Sequence, residues 1–122
     1  MGLLGLFEKM ARVEDTIDKL TPKVSLDTFM ETVSDSVDKE ILRIEQEQDM
    51  FFLGGKMHFS LVSDNKIISM NAEMYYQTSV GRYQKIEKNG QYPVSMLNRE
   101  ACESLCGEII EHGEAIVEIN KP

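Results

Sequence analysis

The sequence predicts an α+β domain: an N-terminal antiparallel α-helical hairpin, then an antiparallel β-meander of three to four strands, a C-terminal helix and a final strand. Three observations carry this expectation. Apolar residues recur at helical spacing through the first 48 residues, the period switches to two after Gly54-Gly55, and helical spacing returns near Asn98. At 122 residues the chain has the size of a single domain, with 1–48 as the helical hairpin and 49–122 as the sheet and its covering helix. A hydrophobic content of 42% is enough to fill one core.

The first helix is read from Leu3, Leu6, Met10, Val13, Ile17 and Leu20, which alternate spacings of three and four with charged residues between them. Leu4 and Phe7 widen this stripe beyond a two-stranded seam, so it suits a broad docking surface. "LTPKVS" interrupts the pattern, because Pro22 lacks a donor and disfavours a helical Thr21. Ser25 is then an N-cap with Asp27 in the first turn of a second helix over Leu26 to Gln48. Leu26, Phe29, Met30, Val33, Val37, Ile41 and Ile44 line one side of it. At roughly 35 Å it is long enough to project beyond a small core.

After Gly54-Gly55, Met57, Phe59 and Leu61 alternate with Lys56, His58 and Ser60. Asp64-Asn65 supplies a hairpin tip, since both residue types tolerate positive φ. The return strand sets Ile68, Met70, Ala72, Met74 and Tyr76 against Ser69, Asn71, Glu73, Tyr75 and Gln77, one face apolar and the other wet. Gly81 permits a further turn. "RYQKIEK" is read as the next strand, ended by an Asn89-Gly90 turn, and Pro93 confines the "QYPVSML" segment to an edge or loop. A helix over Asn98 to Glu111 and a strand in "EAIVEI" complete the expectation; no internal repeat or low-complexity segment is present.

The residues able to do chemistry are few. Cys102 and Cys106 lie one helical turn apart, and on a wheel they fall in the middle of the apolar stripe with Leu105, Ile109 and Ile110. They are expected to be inert core residues, because a disulfide at this spacing is strained. Zinc is disfavoured because His112 sits about 120° around the helix from Cys106. His58 is expected on the wet face, solvated. "FFLGGK" lacks the spacing and following helix of a phosphate loop. Neither cofactor nor metal is implied, and no catalytic constellation stands out, so the chain is read as more consistent with a binding protein than with an enzyme.

The net charge of −8 argues against nucleic acid and anionic membranes as partners. "MGLLGLFEKM" lacks the basic region and cleavage site of a secretory signal, and Leu6 stands where myristoylation needs Ser or Thr. A cytoplasmic location is expected. Besides the initiator, seven methionines suit either core gaps or an adaptable surface. Tyr75, Arg82 and Tyr83 combine exposed tyrosine with arginine, as protein interfaces do. The leading expectation is a non-enzymatic protein-interaction module, an adaptor, chaperone-like protein or small subunit, whose partner is another protein or a second copy of itself. Its candidate interface comprises Leu3, Leu6, Phe7, Met10, Val13 and Ile17 of the first helix with Tyr75, Arg82 and Tyr83. The alternatives are an acidic mimic that blocks a basic protein site, and a small-molecule binder or enzyme with a pocket between sheet and helices.

Overall fold

Ser25 begins the first described helix as its side chain expects, accepting a hydrogen bond from the Thr28 N–H. The computed structural model describes residues 22–120. Within them α1 spans Leu26–Gln48, β1 Met50–Val62, β2 Ile67–Thr78, β3 Tyr83–Pro93, α2 Arg99–His112 and β4 Ala115–Ile119. A 3₁₀ turn over Val94–Met96 links β3 to α2. The result is an α+β fold with a four-stranded antiparallel sheet, ordered β3-β2-β1-β4, and two helices. The first helix of the expected hairpin lies outside the described residues, and one helix precedes the strands among those described.

α1 matches its predicted bounds because every local signal agrees: the cap, the apolar stripe, and a left-handed Asp49 that stops it. Its stripe is buried along most of its length, with Phe29, Val33, Val37, Ile41 and Ile44 all under 8% exposed. The helix therefore lies on the sheet and does not project beyond it. Opposite it, Met57, Phe59, Ile68, Met70, Ala72, Met74 and Tyr76 form the inner face of the sheet, as the alternation predicts. Met30, Met50, Met57, Met70, Met74 and Met96 all belong to this core or pack against it, so the described methionines are gap-fillers and not a binding surface.

Two strand boundaries differ from the sequence reading, both at glycines. β1 does not start after Gly54-Gly55; it runs through them, with a bulge between Phe52 and Gly54. Gly54 takes φ +138, and a Cβ on Gly55 would overlap the Glu73 carbonyl oxygen, so the pair lets the strand bend while its backbone crowds β2. Asn89-Gly90 is not a turn either. Both residues sit inside β3, paired with Asn71 and Met70, and the Asn89 Oδ1 accepts from Asn71 Nδ2 at 2.6 Å. The turns fall at the expected Asp64-Asn65 and Gly81, with Ser63, Asp64, Asn65 and Gly81 all at positive φ.

α2 is capped by Asn98, whose Oδ1 accepts from the Ala101 N–H at 2.8 Å, and ends at a left-handed Gly113. Val24 forms a parallel bridge to Leu97, tying the chain ahead of α1 to the chain ahead of α2. Both helices use the same face of the sheet. The opposite face carries no helix among the described residues.

Candidate interaction face

Alternation along the strands and the register between them decide what the uncovered face displays. β1 contributes Phe51, Lys56, His58 and Ser60; β2 contributes Ser69, Asn71, Glu73, Tyr75 and Gln77; β3 contributes Tyr83, Lys85, Glu87 and Asn89. Its two ends differ chemically.

At one end the residues are aromatic. Phe51 lies opposite Gln77, which lies opposite Tyr83, and Tyr75 stands in the next row beside Lys85. Phe51 is 61% exposed and Tyr83 77%, with Tyr75, Leu53 and Val80 exposed nearby. Tyr75, Arg82 and Tyr83, three of the expected interface residues, thus come together around the β2–β3 turn. Leu3, Leu6, Phe7, Met10, Val13 and Ile17 lie outside the described residues. Sequence reading missed Phe51, because assigning the strand start after the glycines removed it from the alternation that would have paired it with Gln77.

Toward the other side of the face the residues are ionic. His58 Nε2 lies 2.6 Å from Glu73 Oε1, and His58 Nδ1 lies 2.8 Å from Glu114 Oε1. Lys85 reaches Glu73 at 3.5 Å and Glu87 at 3.7 Å. His58 is therefore on the expected face but not solvated. Both ring nitrogens face carboxylates, which accept hydrogen bonds when ionised, so the arrangement favours the doubly protonated imidazolium. The Glu114 contact, joined by Glu73 and opposed by partial burial, raises its pKa. Glu73 is held below its ordinary range chiefly by His58, with help from Lys85.

While protonated, a ring so clasped has no lone pair to offer a metal or a substrate proton. Among the described residues, no three His, Cys, Asp or Glu side chains are placed to share a metal ion. The clasp instead pins Glu114, at the entrance to β4, across β1 to β2. Because the folded imidazolium has the higher pKa, its stabilising contribution is complete below the unfolded value near 6.5 and is lost as pH rises through the folded value. The melting temperature of the wild type is expected to fall relative to His58→Gln as pH is raised from about 5.5 to about 8.5. Parallel melting curves for the two proteins across that range would remove the clasp from the stability of the fold.

The cysteines occupy the apolar side of α2, though not its centre. Ala101, Leu105, Cys106 and Ile109 are the buried residues, Cys102 is only partly buried, and Ile110 is 69% exposed. The stripe is thus rotated toward Ala101, leaving both cysteines on one flank. Their sulfurs lie 3.8 Å apart as free thiols, and burial pushes Cys106 up to about 11. At pH 8 an aromatic disulfide reagent should label Cys102 first and Cys106 only slowly, with both reacting once the protein is unfolded. Equal rapid labelling in the native protein would contradict this packing.

A groove of about 530 Å³ runs between α1 and β3, lined by Thr32, Asp35, Lys39, Glu40, Arg43 and Lys88. Its charges are mixed, and it is open to solvent, unlike an apolar ligand pocket. Among the described residues no helix is long and apolar enough to cross a membrane. No protein-family model matches the chain, and no curated protein or solved structure matches it.

Proposed function

We propose that the protein is a non-enzymatic interaction module, an adaptor, chaperone-like protein or small subunit, that engages another protein chain. One observation carries the reading: a sheet face that no described helix covers, whose end presents Phe51, Tyr75 and Tyr83 beside Arg82. Aromatic residues and arginine are what the centres of protein interfaces are enriched in, and the aromatic rings supply a large contact area with few rotatable bonds. An isolated exposed leucine needs no explanation, whereas a cluster of aromatics on the outer face of a sheet does. The apolar seam of Leu3, Leu6, Phe7, Met10, Val13 and Ile17 is proposed as a second element of the same binding role. The clasp on His58 and the packing of the α2 thiols, Cys106 buried and Cys102 partly so, favour binding over catalysis as the work of this fold.

The test is the native mass of the protein in cell extract. Phe51→Ser with Tyr75→Ser is expected to reduce that mass or release the bound partner while the circular dichroism of the sheet is retained. Leu6→Glu with Met10→Glu is expected to do the same from the helical seam. If both double variants run at the mass of the wild type, neither surface binds and the reading fails.

A further inference from the structure

We infer that β3 is a self-pairing edge, through which two copies of the chain join into one continuous eight-stranded sheet about a two-fold axis. The edge is long, at 11 residues, and its ladder to β2 runs from Tyr83 to Pro93 without a bulge. Its bonding pattern is fixed at both ends. The Thr78 N–H donates to the Arg82 carbonyl at 2.7 Å, and the Val94 N–H donates to the Lys66 carbonyl at 2.9 Å. In an antiparallel ladder alternate residues turn toward the neighbour. The even-numbered residues of β3 therefore serve β2, and Tyr83, Lys85, Glu87 and Asn89 turn their N–H and C=O groups outward. A row of this kind is a template for another strand.

Charge selects which strand and in which register. A two-fold pairing of β3 with itself must match residues of the same face. Centred on Lys85 it sets lysine against lysine; centred on Glu87, glutamate against glutamate; centred on Lys88, lysine against lysine again. Centred on Ile86, it sets Lys85 against Glu87 twice, Gln84 against Lys88, and Tyr83 against Asn89. Every ionic pair is then of opposite sign, and about eight new backbone hydrogen bonds form. Registers centred on Gln84, Asn89 or Gly90 avoid like-charge pairs too, but they make no pair of opposite charge, so the charges of this edge favour the Ile86-centred arrangement.

The inner face agrees. Ile86 packs on the core but is only partly buried, and in this register it meets its own copy. The groove lined by Lys88, Glu40 and Arg43 keeps α1 back from the edge, leaving room on the helix side for a second strand. The other edge, β4, offers only five residues.

The experiment is a charge swap on the purified full chain, read by light scattering and sedimentation. Wild type is expected at the mass of two chains. Lys85→Glu sets glutamate against glutamate twice, and Glu87→Lys sets lysine against lysine twice; each variant is expected to dimerise at least about tenfold more weakly. An equimolar mixture of the two restores opposite charges at both pairs, and the dimer is expected to return at wild-type strength. That recovery also shows that the single variants are folded. A monomeric wild type at high micromolar concentration, single variants that keep the wild-type mass, or a mixture that stays monomeric would each overturn the inference. Phe51→Ser with Tyr75→Ser, which empties the aromatic surface, is expected to leave this dimer intact, so the two proposals stand or fall separately.

Discussion

Replacing Gly55 by alanine is expected to cost at least about 3 kcal/mol, the upper range for forcing extra atoms into a packed site. The added Cβ would overlap the Glu73 carbonyl oxygen and come within 3.2 Å of the Met74 Cα. Both are backbone atoms, so no side chain can swing aside. Relief requires separating β1 from β2 at Gly55, next to the bulge at Phe52 and Gly54. A loss of this size consumes much of the stability of a small domain. Gly107→Ala provides the control, since that glycine is helical and its new Cβ would meet nothing within 4 Å. It should stabilise the protein by roughly 0.5–1 kcal/mol. Denaturant unfolding of the two variants should give opposite signs; similar midpoints would mean that β1 and β2 do not approach as described.

Phe29→Ala is expected to cost about 3–5 kcal/mol. Phe29 is fully buried in the first turns of α1, edge-on to Tyr92 at 5.3 Å and tilted against Phe59 at 6.2 Å. Removing the ring leaves a cavity bounded by β1 and β3, strands that do not neighbour each other and cannot easily close together over it. Leu42→Ala, on the solvent side of the same helix and 55% exposed, should change stability by no more than about 0.5 kcal/mol. If the two substitutions have comparable effects, α1 is not packed through the face assigned to it.

Much of this architecture was legible because independent signals coincided. Ser25, the apolar spacing of α1 and the strict alternation from Met57 to Tyr76 each depend only on near neighbours, and each matches the described structure. The misses share a different origin. Gly54-Gly55 and Asn89-Gly90 are turn signals when judged locally, yet both are absorbed into strands by pairing with distant residues. Gly55 is needed for a close approach that no local pattern announces, and Asn89 finds its amide partner on β2. The charged state of His58 was hidden for the same reason. Glu73 is diagonal to it across the hairpin, and Glu114 arrives from a segment 56 residues away. Periodicity identifies which face a side chain occupies; only register and crossover identify its neighbours on that face.

The strand order β3-β2-β1-β4 also has a consequence for how the chain reaches its fold. Three neighbouring strands follow one another through short loops, so their contacts close early and at low entropic cost. β4 must instead return past the whole meander to Gly55–Phe59, and the bridge from Val24 to Leu97 spans a similar stretch. On a ribosome α1 is made before the β1–β2 hairpin that its apolar stripe packs against. The side of β1 that will hold β4 stays open until residues 115–119 have been made. The meander is therefore expected to form the early folding nucleus, with β4 docking late. Substitutions in β4 should then accelerate unfolding far more than they slow folding.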